Sequence, residues 1–301
     1  MTSTNEKKID LKQSIDFIRI LIYAAIVGLG AGVLGTLFTF SVNYVTQLRT
    51  NYPWLIYFLP IGGIVIVLLY KLAKYKDAGT DLVINSIHSE PHLPVRIGPL
   101  IFISSVITHL FGGSAGREGA ALQIGGSVGS FVSKTFRLTE EDKKTLIMSG
   151  MSGCFSALFG TPLTAAILPL EVVHVGYMEY AALLPCAIAS LVGHSVAIAM
   201  NLVEPMHHIG TVPNLDAITT LAVIGLSLLA GLVSRLFVFS LHKTHHIFAM
   251  IENAYVRAII GGAIIIILTL LVGNQDYNGV GSQMIERSLS GNVPIYAFLL
   301  K

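Results

Sequence analysis

Charge is scarce in this sequence. Asp, Glu, Lys and Arg make up 12% of its 301 residues, against about 25% in soluble domains. A water-surrounded globule is excluded on that ground, and a mean hydropathy of +0.72 points the same way. The formal net charge of +2 is too small to grip nucleic acid. Cysteine is nearly absent. Cys154 and Cys186 both lie in apolar runs, which excludes a disulfide framework and makes them small core residues. No cleavable signal peptide follows the polar, basic start MTSTNEKKIDLKQ, because the uncharged run from Ile20 to Gln47 is too long for one and reads as a spanning helix. Enzyme signatures are missing too. There is no HExxH or GxSxG, and GGSAGREGA lacks the Gly-Lys-Ser/Thr of a phosphate-binding loop. His194 and Ser195 are adjacent, and i, i+1 side chains on a helix do not face each other. The expectation is a protein that is not an enzyme, with no metal and no cofactor.

Long apolar segments take the place of charge. After the first run they cover Pro53 to Tyr70, Ile97 to Phe111, Leu146 to Leu170, Tyr180 to Val203, Ala217 to Ser234 and Ala258 to Val272. Several can cross a hydrocarbon core of about 30 Å. Others, such as Gly119 to Ser133, are short or glycine-rich, and suit broken or re-entrant helices buried among neighbours. The predicted fold is an all-α polytopic membrane protein. Positive clusters at Lys7, Lys8 and Lys12, at Lys71, Lys74 and Lys76, and at Lys134, Arg137, Lys143 and Lys144 put the N-terminus on the cytoplasmic side. The first span then leads out, turns near Arg49 to Pro53, and returns before Lys71.

The one pair of charges inside an apolar stretch is Arg117 and Glu118. No charge occurs from Ile97 to Gly116, and none from Gly119 to Ser133. An ionised group at bilayer depth costs about 2.5–3.5 kcal/mol or more, so it marks a site. The surrounding GGSAGREGAALQIGGS breaks one helix and starts another, leaving backbone N–H groups aimed inward. A helix start carries about half a positive charge and holds an anion. Gly116 and Gly119 let the backbone approach the ion, and Glu118 can occupy the same positive site until a proton neutralises it. The bland alternative is that Glu118 only pairs with Arg117 to tie two helices. Arg117 is either an anion contact or a structural donor to carbonyls. Gln123, roughly a turn further on, is a pore-lining candidate or an interhelical hydrogen bond.

The chain also resembles itself. GVLGTLFTFS from Gly32 matches GLVSRLFVFS from Gly231, IGG recurs at Ile61 and Ile260, and GTDLVINSI from Gly79 matches GSQMIERSL from Gly281. All three pairs are about 200 residues apart, which implies an internal duplication with a site at the repeat interface. The expected layout is a segment 1–16, a first repeat 17–210 and a partial second repeat 217–301. The counterpart of Glu118 would fall beyond Lys301, so a C-terminally truncated chain is expected. Gly79, Thr80, Asp81 and Leu82 would offer a second set of amides, with Ser282 and Met284 at matching pore positions. Asp81 is alternatively an ordinary first-turn or capping charge.

GREG at the start of a broken helix, followed by FGTPLTAAILPLEVV from Phe159 to Val173, resembles the CLC family of chloride channels and anion/proton antiporters. The similarity runs from roughly Phe17 to Lys301. It implies an inverted-repeat bundle of full and re-entrant helices, here with the second repeat incomplete. It also implies a homodimer in the cell membrane, a halide and a proton as partners, and Glu118 as the gating, proton-coupling residue. Gly116, Arg117, Gly119 and Ala120, with Gly79 to Leu82, become the anion-binding positions. Two departures, Ala120 where the family has proline and GTDLVI where it has GSGIP, resemble the fluoride/proton antiporter branch. Chloride transport is the alternative. The inner glutamate of chloride antiporters is matched by Val172, beside Glu171. The histidines at 242, 245 and 246 have metal-like spacing but read as a basic interfacial face, and His109 and His194 read as core residues or proton relays.

Overall fold

The computed structural model describes residues 2–75, 79, 81–88, 93–173, 176, 178–202, 214, 216–291, 293, 294 and 297, with backbone alone at 2–13, 81, 88, 282 and 283. Thr80, Lys76, His207 and His208 therefore fall outside the described residues, as do the side chains of Asp81, Ser282, Lys7, Lys8 and Lys12.

Helices account for all the regular structure among the described residues. They are α1 (Thr2–Asn51), α2 (Leu59–Leu72), α3 (Asp81–His88), α4 (Ile97–Leu110), α5 (Glu118–Thr135), α6 (Glu140–Phe159), α7 (Pro162–Val173), α8 (Leu183–Ala199), α9 (Ala217–Ala249), α10 (Ala254–Val272) and α11 (Ser282–Leu289). Five stretches are long and apolar enough to cross a membrane: Ser14–Asn51, Pro53–Leu72, Tyr180–Ala199, Ala217–Ala249 and Ala254–Val272. α4 and α7 are shorter apolar helices. This is an integral membrane protein.

Local chemistry sets the boundaries. α1 stops before Pro53, whose ring forces Tyr52 into an extended conformation (φ −125°, ψ 74°). Thr139 accepts a hydrogen bond from the Asp142 N–H at 3.2 Å, and Glu140, Glu141 and Asp142 fill the first turn of α6, complementing its dipole. Gly160, with φ +65°, ends α6 in a left-handed cap. That cap splits the apolar stretch Leu146 to Leu170 into α6 and α7. α9 extends well past Ser234, and α1 runs unbroken through Asp16 and Phe17.

α5 and α6 are poor in large apolar residues yet deeply buried. The reason is close backbone contact. A side chain on Gly125 would collide with the carbonyl of Gly150, and one on Gly150 with the carbonyl of Gly125. The same small-residue stacking joins α6 to α8 at Gly153 and Gly193, and α1 to α8, where a Cβ on Gly28 would sit 2.6 Å from the Ala189 oxygen. Helices in lipid associate by such packing because hydrocarbon offers no hydrophobic drive between them. Around this stack, Phe38, Ala121, Ile124, Cys154 and Leu158 form one core cluster, and Val83, Leu122, Ile147, Met151 and Leu170 belong to another.

The helices that carry the two IGG motifs, α2 and α10, pack against each other. A Cβ on Gly63 would lie 2.9 Å from the Ala258 methyl, and one on Gly262 would lie 2.8 Å from the Pro60 nitrogen. α9 is different, with no buried residue among those described.

The bundle has two distinguishable ends. Arg19 pairs with Asp142 at 3.3 Å and Tyr23 packs on Phe136 at 4.9 Å, placing the α5–α6 turn beside the early part of α1. At the other end, Arg49 and Pro53 lie beside the loop between α10 and α11.

Candidate functional site

α4 ends at Leu110, and the chain turns through Gly112 (φ +81°), a left-handed conformation that disfavours side chains. It then runs unwound to Arg117, the N-cap of α5, whose side chain makes no capping hydrogen bond. The first hydrogen bond of the new helix is Ala121 N–H to the Arg117 carbonyl, at 2.9 Å. The N–H groups of Glu118, Gly119 and Ala120 are left without a partner among the described residues. An α-helix start has these orphan donors by geometry. Here no serine, threonine or aspartate uses them.

Glu118 is the first residue of α5 and is exposed. Its carboxylate folds back over Gly116, so closely that a Cβ there would strike Oε2. It has no ion pair or hydrogen bond among the described residues. The helix-tying pair with Arg117 is therefore not formed. Arg117 instead lays its guanidinium over the Phe159 ring at 5.6 Å, at the end of α6, with its Nε buried and unbonded. Ala120 is buried in the cluster with Ala121 and Ile124, so only its backbone can face an ion. Gly119 lies one residue into the helix. Gln123 is buried, and its side chain has no hydrogen bond to described residues; the interhelical bond considered for it is not seen.

The matched motifs lie at two different places. Val280, just before α11, packs against the cluster containing Ala120 and Ala121. Gly281 caps α11 with φ +86°, Ser282 starts that helix, and Met284 is buried. Thus two helix starts, those of α5 and α11, adjoin. α3 begins at Asp81 after Gly79 (φ +57°), and its Val83 reaches Gly126, further along α5. Leu82 packs on the cluster of Leu122 and Leu170. α3 is therefore set further along α5 than Glu118.

Sequence reasoning missed the group beneath this junction. Arg49 is 6% exposed. Its Nη1 donates to Gln275 Oε1 at 3.4 Å, its aliphatic stem lies under Gly112, its Nη2 lies under Gly279, and its Nε is unbonded. No carboxylate pairs with it among the described residues. Asn278, also buried, donates to the Gly112 carbonyl at 3.1 Å, and Ser114 donates to the Tyr277 carbonyl at 3.2 Å. The loops that lead into α5 and α11 are stitched together over a buried cation. The usable signal was Arg49 as the first charge after a long uncharged run, and Asn278 beside the glycines of NGVG.

The remaining candidates lie elsewhere. His109 is fully buried in α4, His194 sits in α8, and Glu171 is exposed near the end of α7 with Val172 packed inward. His242, His245 and His246 share exposed α9, where His242 Nδ1 lies 2.9 Å from the Val238 carbonyl.

Comparison with known proteins yields consistent matches. The family model described as voltage gated chloride channel matches residues 61–301. A chloride/fluoride channel protein of Pseudomonas syringae pv. tomato is 36% identical over 260 residues, covering 85% of this chain and 58% of its own length. The crystal structure of a CLC-type fluoride/proton antiporter superposes with a TM-score of 0.91 at 29% identity, over 95% of this chain and 74% of that one. A slow cyanobacterial Cl−/H+ antiporter matches in fold, with a TM-score of 0.77 at 21% identity, over 94% and 70% of the two chains. The chain spans little more than half the length of the Pseudomonas relative.

Proposed function

The chain belongs to the voltage-gated chloride channel family, and from that premise we propose that it is a transporter rather than an enzyme, exchanging fluoride for protons. One observation carries this reading: the start of α5 leaves three N–H groups uncapped beside Glu118, and among the described residues neither they nor the carboxylate has a partner. The amides and the helix dipole hold an anion. Ionised Glu118 competes with that anion for the same positive end. A proton neutralises the carboxylate and releases it, so proton binding and anion exchange occur at one place. Fluoride is favoured because Ala120 keeps an amide hydrogen where the common family proline would have none, and because fluoride stands in the names of two similar proteins. Chloride is the second reading, since the Pseudomonas relative is named for both ions.

The wider proposals follow from the same footing. Halves built by duplication pack around a midplane site, in keeping with the contact between the two helices that carry the IGG motifs. The N-terminus and the α5–α6 turn face the cytoplasm by their shared positive charge, with the cell membrane as the location. A second copy pairs through α7 and α8, which present Leu163, Ile167, Leu191 and Ile198.

The test is fluoride flux through the natural full-length protein in liposomes, read with a fluoride electrode. A proton gradient should drive fluoride uphill, and Glu118→Gln should keep downhill flux while losing that coupling. Uphill fluoride movement in the Gln variant, or flux of chloride alone, would overturn the proposal.

A further inference from the structure

Two adjoining cavities at the Arg19 end of the bundle have no part in the anion site. The first is a groove of about 480 Å³ between α1, α4 and α5, walled by Leu29, Gly30, Val33, Gly98, Val128 and Phe131. It is open along its length, with Leu29 and Phe131 more than half exposed. The second is a pocket of about 320 Å³ that shares Val95 with the groove. Its wall carries Ser130, Ser133, Lys134, Arg137 and Lys143. The lining thus changes from carbon to cationic where α5 ends.

Among the described residues, the charges in the pocket are not balanced. Glu140, the carboxylate on its wall, is engaged by Lys143 at 3.0 Å. Lys134 and Arg137 are exposed and have no side-chain hydrogen bond or ion pair among the described residues. The two serine hydroxyls are already committed, Ser130 to the Leu93 carbonyl at 2.6 Å and Ser133 to the Ser130 carbonyl at 3.0 Å. Arg137 has φ +52°, in a helix-ending turn where its N–H donates to the Lys134 carbonyl at 3.2 Å and the Leu138 N–H to the Ser133 carbonyl at 3.0 Å. That turn favours glycine, yet the position holds a long cationic side chain.

An apolar slot that opens at its polar end onto two cations with no partner among the described residues has the shape and polarity of an anionic phospholipid. We propose that this cleft binds one anionic glycerophospholipid of the leaflet at the Arg19 end, with its phosphate between Lys134 and Arg137 and one acyl chain along the groove. Charge complementarity selects the occupant. A zwitterionic lipid brings its own cation to the pocket, and a protein helix fills the groove without using the cations. Each basic side chain near an anionic surface contributes roughly fivefold in binding, so the pair sets a preference of about twentyfold over a zwitterionic lipid.

Native mass spectrometry of the purified full chain, with dioleoylphosphatidylglycerol and dioleoylphosphatidylcholine in competition, tests this, backed by melting temperature in detergent. The expected result is one tightly held phosphatidylglycerol per chain and a melting temperature raised by that lipid. Lys134→Gln with Arg137→Gln should remove the preference without lowering the melting temperature in phosphatidylcholine. Val33→Trp, which fills the groove, should remove binding while both cations remain. Equal retention of the two lipids, or a preference unaffected by both variants, overturns the proposal. So does an equal gain in melting temperature from glycerophosphoglycerol or inorganic phosphate, since that means a headgroup pocket without a chain site. A double Gln variant that melts lower in both lipids shows the cations serving only the helix dipole, and also overturns it.

Discussion

Replacing Gly116 with Ala tests the proposed competition between carboxylate and anion. Gly116 is exposed and is not among the glycines with positive φ, so an added methyl strains no backbone, and surface changes of this kind usually cost less than about 0.5 kcal/mol. The methyl does, however, take the space in which the Glu118 carboxylate rests. An exposed, ionised carboxylate beside a helix start gains about 0.3–1 kcal/mol from the helix dipole. At about 1.4 kcal/mol per factor of ten, dislodging Glu118 lowers its hold on the helix start by roughly two- to fivefold. The consequence is read in fluoride efflux from liposomes as a function of pH. If Glu118 competes with the anion as proposed, the variant should run several-fold faster than wild type at high pH, and the two rates should converge at low pH. In a Glu118→Gln background the same methyl should change little, because the two substitutions act on one interaction. A variant with the wild-type rate and pH profile would refute the placement of the carboxylate over Gly116 as functional.

Other outcomes are equally specific. Gly125→Ala should lower stability by about 1–3 kcal/mol or more, since the new methyl meets the Gly150 carbonyl; a melting temperature unchanged in detergent would contradict the close crossing of α5 and α6. Arg49→Met should reduce fluoride uptake at low substrate by roughly tenfold through loss of local positive potential, while the variant remains folded by circular dichroism; undiminished uptake would make Arg49 a purely structural stitch. Asp216 caps α9 by accepting from the Thr219 N–H at 2.7 Å, and that bond holds its pKa below the ordinary 3.8. A lowered folded value means the stabilisation is complete above the ordinary carboxylate pKa and disappears as pH falls through the lowered one. Amide protection at Thr219 should therefore drop only in strong acid, and Asp216→Asn should keep the cap but lose that pH response.

The sequence by itself determined that this is a helical membrane protein with a helix break at Arg117–Glu118, its candidate site, because those properties depend on local rules. Apolar run length sets what can span a bilayer. Glycine spacing sets where a helix breaks, and an isolated charge at membrane depth declares itself through its cost. The start of α5 is at Glu118, at the break read from GGSAGREG. Tertiary structure decided which side chains point where. Arg117 turned to the Phe159 face instead of to Glu118. Arg49, an ordinary charge at a loop by sequence, became a buried cation under two loops joined by a hydrogen bond between residues 166 apart in the chain. Gly125, read as part of a glycine-rich break, proved to be a contact point inside a continuous helix, against Gly150 of α6. The physical reason is common to all three. A helix start is specified by the few residues around it, whereas a contact between distant segments depends on how whole helices pack, and in apolar sequence many packings share one hydropathy pattern.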